Sequence, residues 1–257
     1  MSKIRVGAVS YLNTKPLLYG IKHHPVFNEI ELVEDYPALI AQMLINGTID
    51  VGLVPVAATV KMRNWHIVGD YCIGCDGPVA SVCLFSDVPM EKIERVLLDY
   101  QSRTSVNLAK ILLAEFWKKD VQLVDATGED FRAEINGTTA GVVIGDRALE
   151  QRSQSKFIYD LGEAWKAHTG LPFVFAAWIS NKELPTAFSQ RFNAANEFGL
   201  TYIDDVVKAN PFAAYDLKAY FTSCIQYKLT PEKMNGMHLF LTKLQARLLQ
   251  PHPVAGQ

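Results

Sequence analysis

Val96-Leu97-Leu98-Asp99-Tyr100-Gln101-Ser102-Arg103-Thr104-Ser105 reads as one structural unit. The three apolar residues suit a short buried strand, and the polar stretch after them suits a loop. Val106, Ala109, Leu112, Leu113 and Phe116 then recur at spacings of three and four, the apolar face of a helix. The same order of parts opens the chain. Ile4–Val9 is a β-branched apolar run, Ser10-Tyr11-Leu12-Asn13-Thr14 is a polar loop, and Lys15-Pro16-Leu17-Leu18 starts a helix with proline in its first turn. Two such strand–loop–helix units, at 4–22 and 95–118, make the fold α/β with mostly parallel sheets, in two halves.

The segments between them fill in the halves. Ile30–Val33, Asp50–Val54, Ile67–Ile73 and Val79–Phe85 read as strands. A helix starts at Pro37 with Leu39, Ile40, Met43 and Leu44 on one face and stops at Gly47; a short one runs from Pro55 toward Met62. After the second unit, Val121–Val124, Gly141–Ile144, Phe157–Tyr159 and Leu171–Ile179 are strands. Beyond Pro185 the pattern is nearly all helical, with Met237, Leu241, Leu244 and Leu248 as one stripe, and 251–257 reads as a frayed tail. The long strands near 79–86 and 172–180 lie where the halves meet. The economical arrangement is two lobes joined by two crossing strands: residues 1–85 plus 179–257 in the first, with the C-terminal helices, and 86–178 in the second. A ligand then lies in the cleft, against strand ends and helix N-termini.

The chain has 257 residues, 49% hydrophobic and 20% charged, with a net charge of -2. That is globular composition, and it lacks the basic surface of a general nucleic-acid binder. The longest useful apolar run, Leu171–Ile179, is far short of the roughly 18 residues of a membrane helix. The start, Met-Ser-Lys-Ile-Arg-Val, has no apolar leader and passes straight into a strand, so a cytoplasmic protein is expected. Cys72 and Cys75 are spaced as Cys-Ile-Gly-Cys, but Cys83 and Cys224 supply no second pair for a structural zinc. They read as buried thiols. The Asn-Gly-Thr triplets at Asn46 and Asn136 read as turns.

No dinucleotide loop, phosphate loop, His-Glu-x-x-His or nucleophile elbow occurs. His23 and His24 belong at a helix end, and His168 near another. What remains are the small polar loops. Ser102-Arg103-Thr104-Ser105 offers a helix cap, and equally an anion site, because a helix N-terminus carries unsatisfied N–H donors and positive potential. As a plain cap, its Arg103 would pair with Asp99 or Asp146. Asn13 offers a cap or a ligand-facing amide, with Ser10 and Tyr11 beside it. Ser81 lies on a crossing strand, as a core residue or a hydrogen-bond partner at the cleft. Ile144-Gly145-Asp146 is a third cleft loop: Gly145 permits close backbone approach, and Asp146 caps the next helix or orients Arg103. The run Thr169–Trp178 supplies an aromatic wall.

Four motifs in order resemble the chorismate dehydratase family, which opens the futalosine route to menaquinone. They are Val-Ser-Tyr-Leu-Asn-Thr-Lys-Pro-Leu (9–17), Asp-Tyr-Gln-Ser-Arg-Thr-Ser (99–105), Ile-Gly-Asp (144–146) and Tyr-Asp-Leu-Gly-Glu-Ala-Trp (159–165) with Thr-Gly-Leu-Pro-Phe-Val-Phe-Ala (169–176). The likeness runs in register to about residue 245. A sister family of dihydroxynaphthoate synthases shares the fold but opens with a loop rich in Pro and Asp; Ser-Tyr-Leu-Asn-Thr sides with the dehydratases. The resemblance implies a two-lobed fold similar to type II periplasmic solute-binding proteins. It implies Asn13 and Ser81 as active-site residues, and the 102–105 helix start as an anion site. The implied reaction removes water from chorismate, a small-molecule substrate, with no metal or redox cofactor. The alternative is a non-catalytic carboxylate-binding protein of the solute-receptor type. Nothing in the resemblance bears on His168, on the Cys72/Cys75 pair or on the oligomeric state.

Overall fold

Each strand–loop–helix unit forms, and each seeds its own sheet. The computed structural model describes residues 3–249. In the first half, β1 (Ile4–Val9) leads through a short 3-10 turn into α1 (Lys15–His23), followed by β2 (Ile30–Asp35), α2 (Pro37–Ile45), β3 (Val51–Pro55) and β4 (His66–Cys75). In the second, β5 (Val82–Ser86), β6 (Arg95–Leu98), α3 (Thr104–Glu115), β7 (Gln122–Asp125), β8 (Thr139–Ile144), α4 (Asp146–Gln151), β9 (Phe157–Asp160) and α5 (Leu161–Thr169) follow in turn. The chain then returns through β10 (Phe173–Ser180) and ends in α6 (Thr186–Thr201), α7 (Ile203–Ala209), α8 (Leu217–Ala219), β11 (Gln226–Lys228) and α9 (Pro231–Leu249).

The two sheets are built alike. The six-stranded sheet runs β11-β4-β10-β3-β1-β2 and the five-stranded one β7-β6-β8-β5-β9. Each has a parallel trio, with β1 between β2 and β3 in one and β6 between β7 and β8 in the other. Each trio is extended by an antiparallel strand arriving from the other half: β10 beside β3, and β5 beside β8. This exchange corrects the expected boundaries. Residues 82–85, assigned from sequence to the first lobe, pair in the second sheet, and 173–178, assigned to the second, pair in the first. The expected strand Val79–Phe85 starts three residues late because Ala80 turns out of extended geometry, with φ of +63°.

Burial explains the helices. Leu17, Leu18 and Ile21 of α1 are buried, each contributing about 1.5–3 kcal/mol relative to an exposed side chain. Helices α1 and α6 cross very closely: a Cβ on Gly20 would stand 2.0 Å from the Ala195 carbonyl oxygen, and one on Gly199 would stand 1.9 Å from that of Pro16. Of the expected C-terminal stripe, Met237, Leu241 and Leu244 are buried, whereas Leu248 is exposed. The region after Pro185 also holds features the helical pattern concealed, namely β11 and a π-helical turn at Tyr220–Cys224. The tail at 251–257 lies outside the described residues. Among the described residues no helix is long and apolar enough to cross a membrane.

Cys72 and Cys75 sit buried on β4, and burial pushes the Cys72 thiol up to about 12. Gly47 and Gly137, after Asn46 and Asn136, have φ of +71° and +56°, as turn glycines do. His168, in the last turn of α5, lies 3.4 Å from Glu115.

Candidate functional site

The polar ends of the two units face one another across a cleft with about 520 Å³ of free space, part of it open to solvent. Tyr11, Asn13 and Thr14 come from the first loop, and Gln101, Ser102, Thr104 and Ser105 from the second. Ile144 and Gly145 enter from the end of β8. The rest of the lining is largely apolar, with Val9, Leu53, Pro55, Ile73, Val82 and Phe175. The cleft thus offers an apolar slot with hydrogen-bonding groups gathered at the strand ends.

Three hydrogen bonds draw the two sides together. The Leu12 N–H donates to Asp146 Oδ1 at 3.0 Å. The Ala57 N–H donates to Thr104 Oγ1 at 3.1 Å. The Tyr11 phenol donates to Gln101 Oε1. Behind Gln101 stands a buried ion pair: Arg147 Nη2 reaches Gln101 Oε1 at 3.1 Å and both carboxylate oxygens of Asp99 at 2.9 and 2.8 Å. Asp99 also accepts the N–H groups of Gln101 and Ile144, tying the second loop to the end of β8. Burial pushes the Asp99 carboxyl up against the pull of Arg147, and it likewise pushes up Asp146 and the Tyr11 phenol.

The start of α3 is an anion pole. Ser102 Oγ accepts the Ser105 N–H at 3.1 Å, which accounts for one hydroxyl as a cap. The N–H groups of Arg103 and Thr104 meet no acceptor among the described residues. These donors and the helix's positive end border the cleft through Ser102, Thr104 and Ser105.

Asn13 and Ser81 converge from opposite sides of one wall. Asn13 lines the cleft; its side-chain oxygen accepts only the Thr14 hydroxyl, at 3.2 Å, so it does not cap α1. Ser81 is fully buried behind the wall, on the segment that crosses from β4 to β5. That segment is held on all sides. Ala80 takes its left-handed φ while the Ser81 N–H folds back to the Val79 carbonyl at 2.8 Å. Asp160 accepts the N–H groups of Val79 and Ala80 at 2.7–3.1 Å and those of Gly162 and Glu163 at the start of α5. Arg152 Nη1 donates to the Ala80 carbonyl at 3.1 Å, and the Gly145 N–H to the Ser81 carbonyl at 2.8 Å. Gly145, with φ of +65°, presses against Tyr11: a Cβ there would stand 3.2 Å from the ring.

The residues expected from sequence therefore divide. Tyr11, Asn13, Ser102, Thr104, Ser105 and Gly145 line the cleft. Ser10 is exposed, and its N–H is spent on the Asp35 carbonyl at 3.2 Å. Arg103 does not line the cleft and does not pair with Asp99 or Asp146; Arg147 takes Asp99 instead. Asp146 neither caps α4 nor orients Arg103, because its carboxylate is engaged by Leu12 across the cleft. Gln101, Arg147, Tyr220 and Tyr227 were not anticipated. Gln101 lay inside a quoted motif. The tyrosines lie in a segment whose pattern signals only core.

The comparisons bear on this geometry. A family model described as menaquinone biosynthesis matches residues 4–246. The chain belongs to that family. Within it, the chain is 28% identical over 227 residues to a chorismate dehydratase of Thermus thermophilus, covering 79% of this chain and 80% of the relative. It is 24% identical over 250 residues to a chorismate dehydratase of Campylobacter jejuni, covering 93% and 97%. Among solved structures, a protein of Archaeoglobus fulgidus superposes with a TM-score of 0.77 at 15% identity, covering 96% of this chain and 98% of that one. An alkanesulfonate-binding protein of Xanthomonas axonopodis superposes with a TM-score of 0.67 at 15% identity, covering 98% and 95%. This menaquinone-biosynthesis family member thus has a two-lobed, periplasmic-binding-protein-like α/β fold.

Proposed function

We propose that the chain is a hydro-lyase that converts chorismate to 3-[(1-carboxyvinyl)oxy]benzoate and water, as a step of menaquinone biosynthesis. The observation that carries this reading is the family match over nearly the whole chain, joined by two relatives named for that activity. The cleft supports it chemically. An apolar slot suits the ring, and the open N–H groups at the start of α3 suit a carboxylate. Membership of a biosynthetic family supports a cytoplasmic setting. The two sheets serve as two lobes, divided at the crossing segments 76–81 and 170–172.

The reaction removes the proton from C3 and the hydroxyl from C4, and the ring becomes aromatic. Conjugation to the ring carboxylate makes the C3 proton acidic, so donors on that carboxylate stabilise the developing dienolate. Ser105, Thr104 and the α3 N-terminus take that role, with Tyr11, Ser102 and the Gly145 backbone completing the binding surface. No histidine or free carboxylate lines the cleft among the described residues. The carboxylate on the substrate's own enolpyruvyl arm serves as the base, since a positioned intramolecular group has a high effective concentration. Asn13 orients the arm or the leaving hydroxyl, and Ser81 supports it from behind. Closure through Asp146, Thr104 and Gln101 excludes water.

The test is direct. Purified protein mixed with chorismate should deplete its ultraviolet absorption and give a product lighter by one water by mass spectrometry. Binding without turnover would instead favour a carboxylate receptor. Turnover abolished by EDTA and restored by a divalent metal would overturn the metal-free mechanism.

A further inference from the structure

Two tyrosine hydroxyls from one late stretch of chain reach the two residues at the centre of the proposed chemistry. Tyr220 donates to Ser81 Oγ at 2.7 Å, across 139 positions of sequence. Tyr227 donates to the Asn13 carbonyl at 3.0 Å, across 214. Both side chains are buried. The Tyr220 hydroxyl is also within hydrogen-bonding reach of the Asn13 side chain.

The local backbone is shaped to deliver them. Tyr220 opens the π-helical turn Tyr220–Cys224, a rare form that is frequent at functional sites. Tyr227 is the single inward residue of the three-residue strand β11, flanked by exposed Gln226 and Lys228. Ordinary helix followed by strand would not present both hydroxyls to one wall. A phenylalanine at either position would fill the same core volume, so the hydroxyls answer to something other than packing.

Their targets need such support. Asn13 sits in a 3-10 turn whose own side chain caps nothing, so the carbonyl bond from Tyr227 fixes the turn that aims the amide. Ser81 follows Ala80, whose left-handed φ is unfavourable for a residue with a Cβ. All six backbone groups of Val79, Ala80 and Ser81 are already tied by Asp160, Arg152, Gly145 and the turn's own bond. The Ser81 hydroxyl is the part those bonds leave free, and Tyr220 holds it.

We propose that Tyr220 and Tyr227 are positioning residues that clamp Ser81 and Asn13 from behind the cleft wall. The function assigned to the clamp rests on the dehydratase reading; the clamp itself does not. Its consequence is that the first loop and the crossing segment are registered to one another by the C-terminal segment, beyond the motif-bearing loops.

The experiment is a double-mutant cycle with an independent structural readout. Tyr220→Phe should melt close to wild type and lower kcat about tenfold, the order of one lost hydrogen bond, with KM changed less than about twofold. In a Ser81→Ala background the same change should have a clearly smaller effect, because the Ser81 partner is gone. Tyr227→Phe should behave likewise in kcat, and the carbonyl ¹³C resonance of Asn13, assigned by its loss in Asn13→Ala, should move upfield. An equal loss from Tyr220→Phe in both backgrounds, or normal kcat in both tyrosine variants, would overturn the proposal. So would an Asn13 carbonyl resonance unmoved by Tyr227→Phe. If the wild-type protein fails to dehydrate chorismate, the functional reading falls, and the carbonyl shift still decides whether the clamp exists.

Discussion

The two strand–loop–helix units have the same backbone plan and opposite chemistry. In the first, most N–H donors of the loop are consumed: Ser10 bonds the Asp35 carbonyl, Leu12 bonds Asp146, Thr14 bonds the Tyr11 carbonyl, and Pro16 has none to offer. What this loop presents to the cleft is a neutral amide, Asn13. In the second, Ser102 satisfies one donor and leaves those of Arg103 and Thr104 open, so the loop presents a positive helix end. Their ion pairs also sit at opposite places. Arg5–Asp50 lies at the far end of β1 from the cleft, whereas Arg147–Asp99 lies directly beneath the anion pole. One repeated motif has been divided into an orienting loop and an electrostatic one.

The largest effect expected from breaking this division is at the buried pair. The Asp99 side chain is fully enclosed and that of Arg147 is 12% exposed. Arg147→Met leaves a buried carboxylate unpaired, and should lower stability by about 3–5 kcal/mol. A melting temperature within a few degrees of wild type would show that the pair does not organise the second loop. Next comes the orienting loop. Asn13→Ala should fold normally and lose about a hundredfold or more in kcat, as on removal of an oxyanion-type donor. Near-normal turnover would leave the first loop without a chemical role. The anion pole should respond less: Thr104→Ala or Ser105→Ala should weaken chorismate binding by about 1–3 kcal/mol, the range for a hydrogen bond to a charged group. Unchanged KM and kcat in both variants would reduce the loop to a helix start.

These contrasts mark how far the sequence was readable. Alternation of apolar runs with loops located both units and every strand of the two sheets except β11, because buried parallel strands are contiguous apolar runs flanked by turn residues. Local signals also marked Asn13, Thr104 and Ser105, which stand where a strand end meets a helix start. Charge partners were not legible. Arg103 precedes the helix and looked like the partner of Asp99, but Arg147 occupies that place because β8 runs beside β6 and brings α4 over the loop. The crossing strand was misplaced by a few residues, since no composition rule announces an alanine with positive φ. Tyr220 and Tyr227 were invisible because a π-helical turn and a three-residue edge strand leave no periodicity to read.

The ion pair of the first unit gives a pH test with the opposite sign to that of the second. The Arg5 hydrogen bond, helped by Lys182, holds the Asp50 carboxyl well below the usual range. A depressed folded pKa contributes stability that is present above the unfolded value, about 3.9, and is lost as pH falls through the folded one. The melting-temperature gap between wild type and Asp50→Asn should be widest near neutrality and should narrow progressively below about pH 4. Burial raises Asp99, so ionising it costs stability at neutral pH, and that cost is relieved on acidification. A gap for Asp50→Asn that stays constant down to the acid unfolding region would contradict this assignment.

The smallest effect separates capping from anion binding within a single loop. Ser102 Oγ is bound to the Ser105 N–H, so its hydroxyl already serves the helix. Thr104 Oγ1 accepts the Ala57 N–H across the cleft, so Ser105 carries the hydroxyl left free to serve a ligand. Ser102→Ala should cost about 1 kcal/mol of stability, typical of a lost N-cap. It also releases the Ser105 N–H as one more donor at the positive end of α3. Chorismate KM should therefore hold or fall slightly while the melting temperature drops, the reverse of the Ser105→Ala pattern. The measurement is a thermal melt beside steady-state kinetics for both variants at one pH. If Ser102→Ala raised KM as much as Ser105→Ala while leaving the melt untouched, Ser102 would be a direct substrate ligand, and the cap and the anion pole could not be assigned to different residues of the loop.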